Sequence, residues 1–213
     1  RRAEFVRSYL PVETGDEIER ARRTIVWSFM GFGSASATRS HRTGFRSGAH
    51  RSGAHRSGTT PAHDWKRYPQ HLDGFRDRLR GVVIEERDAA RILAQHDSPE
   101  TLHYVDPPYP RSTRTTNGDA YSHEMTDSDH RALADVLRSL NSMVVLSGYA
   151  CELHDAELYP DWHRIEIQTV KSSQNAGVPA TEIVWMNAAA FLASTAAQAD
   201  RAAACTVQGM LAL

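Results

Sequence analysis

The chain of 213 residues is poor in cysteine, with only Cys151 and Cys205. That is too few for a disulfide framework, and the two are not at metal-ligand spacing, so a reducing cytoplasm is the expected compartment. No uninterrupted apolar run is long enough to span a bilayer, which argues against a membrane protein. No secretory signal is expected either, since Arg1 and Arg2 are followed by no hydrophobic stretch. Excess charge is absent too: 25 Lys+Arg stand against 26 Asp+Glu, a formal net charge of −1. With 40% apolar and 24% charged residues, the composition is that of a globular chain able to bury a core.

The near-neutral balance conceals a strongly basic segment. Residues 3–10 and 16–30 space their apolar side chains as helices do, and the second helix should stop at Gly31 and Gly33. From Ser34 to Thr60 apolar anchors almost vanish. Here RSGAH occurs twice, at 46–50 and 51–55, and Arg39, Arg42, Arg46, Arg51 and Arg56 occur without one acid. Such a stretch cannot bury enough surface to offset its ordering entropy, so 38–58 is expected to be a mobile loop.

Regular patterning resumes beyond Pro61. Residues 71–80 read as a helix stopped by Gly81, 82–86 as a β-branched strand, and 88–96 as a helix. A strand at 101–106 runs into Pro107-Pro108, which a central strand would not tolerate. Thr126 precedes a well-signalled helix over 126–140, with acids in its first turn. Strands are expected at 143–149, 163–170 and 181–187, and the Ala-rich tail from Ala188 should be helical. Alternating strands and helices predict an α/β layered fold with a mainly parallel sheet. Three regions follow: a helical region with its basic loop over 1–80, an α/β region over 81–187, and the tail over 188–213.

The sharpest chemical signal is Asp106-Pro107-Pro108-Tyr109, where an apolar strand gives way to a loop. In open α/β sheets ligands bind beyond the carboxyl ends of strands. A rigid turn with Asp as a local acceptor would be the plain structural account. The motif, however, resembles that of methyltransferases which use S-adenosylmethionine to modify amino groups. The surrounding segments VVIEERDA (82–89), YSHEMTDSDHRAL, LSGY and EIVWMN resemble, in that order, the Dam-like class of adenine-N6 DNA methyltransferases, particularly phage and prophage members. The likeness runs over about residues 3–187.

That resemblance implies a Rossmann-like methyltransferase sheet of order 3-2-1-4-5-7-6, with a helical and loop insertion for target recognition. In this chain the sheet should be incomplete, its first strands lacking, with 82–86 as the third strand and 102–105 as the fourth. The members' FxGxG cofactor loop follows a first strand. Phe29-Met30-Gly31-Phe32-Gly33 has that spacing but follows a helical pattern, so it reads as a decoy. The chain is thus expected to run from the recognition region onward.

The implied chemistry suits the residue types. The lone pair of adenine's exocyclic amine is delocalised into the ring, which makes it a poor nucleophile. A carboxylate (Asp106) and a main-chain carbonyl (Pro107) can each accept one amine hydrogen and turn the lone pair toward a sulfonium methyl. Prolines present carbonyls without competing N–H groups, which suits Pro107 and Pro108. Tyr109 would stack on a base flipped out of duplex DNA. Asp88, with Asp106, stands where the resemblance implies cofactor contact, although Asp before a helix is equally a plain cap. Tyr149, after the strand ending Ser147-Gly148, could line the base pocket, but packing is the plainer role.

Arg39, Arg42, Arg111 and Arg114 are the candidates for DNA phosphates, beside the alternative of solvated loops. No metal is expected, because the histidines lack Cys or carboxylate partners. The implied partners are double-stranded DNA and S-adenosylmethionine. Two other readings stay open: a non-catalytic DNA-binding remnant, and an RNA or protein amino-group methyltransferase.

Overall fold

The computed structural model describes residues 2–12, 15–31, 44–45, 65–114, 123–170 and 179–210. The backbone divides into two compact units, residues 1–84 with 170–178 and residues 85–169 with 179–213. The basic loop 38–58 lies outside the described residues except for Gly44 and Phe45.

The first unit is built on helices α1 (Arg2–Arg7) and α2 (Glu17–Met30). Asp16 caps α2 by accepting from the Glu19 N–H at 2.8 Å, contributing about 1 kcal/mol. Phe5, Val26 and Met30 form a small core, joined by Tyr9, Phe29, Phe45 and Trp65. Tyr9 stacks on Trp27 at 5.6 Å. The expected stop at Gly31 is present: its N–H donates to the Trp27 carbonyl, its backbone turns extended, and it bridges Phe45. Phe29 and Met30 are therefore the last residues of a helix, so that segment begins as the decoy reading requires. A 3₁₀ turn over Tyr68–His71 leads into α3 (Leu72–Leu79), and Gly81 follows with φ +84°, a conformation that suits glycine.

The expected strand at 82–86 is not formed. Val82, Val83 and Ile84 lie outside any ladder and are 48, 80 and 88% exposed. A β-branched run has the propensity for a strand, but a strand exists only through hydrogen bonds to a neighbour. None of the described strands pairs with it.

The second unit holds a four-stranded sheet of order β1-β2-β4-β3, with β1 Leu102–Val105, β2 Met143–Gly148, β3 His163–Val170 and β4 Pro179–Met186. β1 runs parallel to β2, with Leu102 opposite Met143 and Val105 opposite Leu146. β4 is antiparallel to β2, with Val145 opposite Met186 and Gly148 opposite Ile183. The sheet is therefore mixed, where a mainly parallel one was expected.

Helices α4 (Ala89–Gln95), α5 (Asp127–Ser139) and α6 (Ala188–Met210) accompany the sheet. Ala134 and Leu137 of α5 pack with Leu93 of α4 against Val144, Leu146 and Trp185. Burying Leu137, only 1% exposed, contributes roughly 2 kcal/mol. A reciprocal box between Thr126 and Asp129 starts α5.

Two side chains tie distant segments to the foot of β2. The Asp97 carboxylate accepts from the Asn141 and Ser142 backbone N–H groups at 2.9 Å each, bonds that hold its pKa below the usual carboxylate range. Asn187 Oδ1 accepts from the N–H groups of Val144 at 3.1 Å and Ala190 at 2.9 Å, joining β2 to the start of α6. Among the described residues, no helix is long and apolar enough to cross a membrane.

Candidate active site

β1 and β2 are parallel, so their carboxyl ends come to one edge of the sheet, and the site is built there. Asp106 follows β1 directly and is exposed. Its Oδ1 accepts from Ser147 Oγ at 2.9 Å, and Ser147 is buried near the end of β2. A solvent-facing carboxylate is thus aimed by a hydroxyl fixed in the neighbouring strand. Pro107 is buried and Pro108 half-buried, so the turn is anchored in the protein rather than loose on its surface.

The half-buried Tyr109 lies edge-on to Tyr149, their ring centroids 5.0 Å apart. Its hydroxyl meets both Asp106 and Ser147. Burial, and then the charge of Asp106, pushes that hydroxyl well above the ordinary phenol range, so it remains a donor at neutral pH.

The backbone beyond the motif is pinned carbonyl by carbonyl. Arg114 donates to the Tyr109 carbonyl and grips Glu124 with both carboxylate oxygens at 2.8 Å. Thr113 donates to the Pro110 carbonyl from its hydroxyl at 2.7 Å and its N–H at 3.0 Å. Among the described residues no donor is bonded to the Pro107 carbonyl. The strand end therefore presents one exposed carboxylate as an acceptor, with the Tyr109 ring close by.

Asp88 is the N-cap of α4, accepting from the Arg91 N–H at 3.2 Å. Arg111 is exposed on a 3₁₀ turn. Arg114, offered by the sequence as a phosphate ligand, is instead engaged in holding the motif loop, its side chain 10% exposed. Arg39 and Arg42 lie outside the described residues. Among the described residues no group of three or more His, Cys, Asp or Glu side chains is arranged to hold a metal.

Sequence reasoning missed Glu124 as the partner of Arg114, and the buried histidines His130 and His154. One signal was present: His130, Ala134 and Leu137 share the apolar face of α5. A histidine at such a position must either find a buried partner or stay neutral.

An α/β sheet presenting an anchored but exposed carboxylate at the carboxyl end of a strand has the layout of an enzyme that binds its ligand at the sheet edge. The family comparison narrows that class. The model of the D12 class N6 adenine-specific DNA methyltransferases matches residues 44–172, more than half of the chain, and the chain belongs to that family. No curated protein matches it closely enough to count as a relative.

Proposed function

We propose that this chain serves the transfer of a methyl group from S-adenosylmethionine to the exocyclic N6 amine of adenine in DNA. The observation that carries the reading is the exposed Asp106 carboxylate at the end of β1, aimed by Ser147; the carbonyl of Pro107, the next residue, is the second proposed acceptor. Each accepts one hydrogen of the amine, which localises the nitrogen lone pair and turns it toward the incoming carbon. S-adenosylmethionine supplies an electrophilic sulfonium methyl. Tyr109 offers its ring to an extruded adenine, with Tyr149 supporting it from the edge. Asp88 and Asp106 are the proposed contacts to the methyl donor. Arg111, with Arg39 and Arg42, supplies positive charge for the DNA backbone. The strand order β1-β2-β4-β3 supports the reading, since it coincides with strands 4-5-7-6 of the sheet implied by the resemblance.

A second reading, DNA binding without turnover, draws on another observation. β1 is the outer strand of the described sheet, and residues 82–86 make no ladder. The flank where a donor pocket would be completed is therefore unlined within that sheet. The test is transfer of labelled methyl from S-adenosylmethionine to adenine-containing duplex, measured beside DNA binding, for the wild type and Asp106→Ala. Transfer that is lost in Asp106→Ala, with DNA binding retained, supports the first reading. Wild-type transfer by the variant removes Asp106 from the chemistry. Binding with no transfer by either protein selects the second reading, and failure of both binding and transfer overturns both.

A further inference from the structure

The first unit carries a cluster of aromatic rings that the proposed chemistry does not use. From Trp65 to Leu79 the backbone is helical throughout, including the 3₁₀ turn Tyr68–His71 and α3. Trp65, Tyr68, Leu72, Phe75 and Leu79 recur every three or four residues, so they share one face of it. The inner end of that face is anchored, since Trp65 and Phe29 both pack against the small core of Phe5, Val26 and Met30. The Phe29 ring centroid is 4.8 Å from that of Tyr68 and 6.0 Å from that of Trp65, edge to face in both cases. Trp65 lies nearly parallel to Tyr68. The outer end is bare. Phe75, its centroid 5.9 Å from that of Tyr68, is 49% exposed, and Leu72 and Leu79 are exposed on the same face.

Among these rings is a cleft of about 380 Å³, lined by Phe29, Arg67, Tyr68, His71 and Phe75. Small-ligand sites typically enclose about 300–1,000 Å³ and are walled mostly by apolar rings with a few polar groups, as this one is. Charge decides what fits. Ring faces alone would suit a cation, but the Arg67 guanidinium in the wall repels one. An apolar protein segment would gain from the rings and leave Arg67 desolvated without a counter-charge. A nucleotide satisfies every group in the wall. Its base sets a π face against Phe75 and hydrogen-bonding edges toward His71, and its phosphate meets Arg67. The rest of the segment carries charge of the same sign. Lys66 and Arg78 are exposed and pair with no described acid, whereas Asp73 and Asp77 are engaged by Arg76 and Arg80.

We propose that this cleft holds one unstacked nucleobase of DNA together with its phosphate, as a contact in a different unit from Asp106–Tyr109. Phe75 supplies the stacking surface and Arg67 the counter-charge, while Phe29 and Trp65 fix the wall to the core. The proposal rests on DNA being the partner of this chain, which the family supports.

The test uses a duplex with one bulged 2-aminopurine nucleotide, whose fluorescence falls when the base stacks on a ring, beside the same duplex fully paired. The intact chain should prefer the bulged duplex and quench its fluorescence. Phe75→Ala should weaken binding of the bulged duplex by about 10-fold and remove the quenching, with the paired duplex little affected, and Phe75→Trp should keep both signals. Arg67→Gln should lower the salt dependence of binding by about one phosphate contact. Preference and quenching unchanged in Phe75→Ala overturn the proposal, as does their loss in Tyr109→Ala alone, which puts the unstacked base at the Asp106 turn. A changed oligomeric state of Phe75→Ala in sedimentation, with DNA affinity intact, makes this face a protein contact and also overturns it. Should Phe75→Ala fail to fold, Arg67→Gln, which leaves every ring in place, decides. A wild-type chain that binds neither duplex refutes the proposal outright. Methyl transfer is scored separately: its absence with the Phe75-dependent signals intact refutes the methyl-transfer reading alone, and its presence without those signals refutes this proposal alone.

Discussion

Acidification should destabilise the second unit through His154. Burial, and then the neighbouring His130, lowers the His154 pKa from 6.5 to about 4, against smaller opposing effects of Asp155 and Asp127. The unfolded chain takes up a proton near pH 6.5, whereas the folded chain refuses it until about pH 4. Between those values the unfolded state binds more protons, so the stability conferred by a neutral His154 is fully present above pH 6.5 and is lost as pH falls toward 4. A displacement from 6.5 to about 4 corresponds to roughly 3 kcal/mol at full effect, most of which should be gone by pH 4.5. That is a large part of the 5–15 kcal/mol typical of a domain. His130, also lowered by burial, adds in the same direction. The comparison to make is wild type against His154→Phe, which keeps a ring against Tyr159 and Trp185 but cannot take up a proton. Urea unfolding followed by tryptophan fluorescence at pH 7 and 4.5 should show the wild type losing roughly 2 to 3 kcal/mol more than the variant. Carboxylates with lowered pKa, such as Asp97, Asp129 and Asp161, are common to both proteins and cancel in the difference. Parallel pH profiles for the two proteins would refute the reasoning.

Three further outcomes are expected. Arg114→Met removes the donor to the Tyr109 carbonyl and the ion pair with Glu124, whose side chains are 10 and 15% exposed; a loss of about 2 kcal/mol is expected, and a change below about 0.5 kcal/mol in urea unfolding would contradict it. Tyr109→Phe keeps the ring and should keep most of the methylation rate, whereas Tyr109→Ala should lose about 1–3 kcal/mol of stacking in kcat/KM; equal rates would take Tyr109 out of the base pocket. Because β1 is the outer strand of the described sheet, the 213-residue chain should bind S-adenosylmethionine more weakly than about 1 μM, and calorimetric titration giving tighter binding would overturn that expectation.

What could be read from the sequence by itself was whatever a few neighbouring residues decide. Thr126 and Asp129 form their capping box across three residues, and Asp16 and Asp88 cap their helices over the same span. The stop at Gly31 and the break of β1 at Pro107 are backbone properties of single residues. The motif Asp106–Tyr109 was legible for the same reason, being four consecutive side chains on one turn. Only the tertiary structure decided what holds that turn in place. Ser147 reaches Asp106 from 41 positions away, and Glu124 reaches Arg114 from 10. The tertiary structure also decided against a strand at 82–86, although Val82, Val83 and Ile84 favour one locally. Caps and turns draw their energy from bonds within one helical turn, which the local sequence specifies. A ladder, an ion pair or a shared proton needs a second group that the packing of distant segments must bring within about 3 Å.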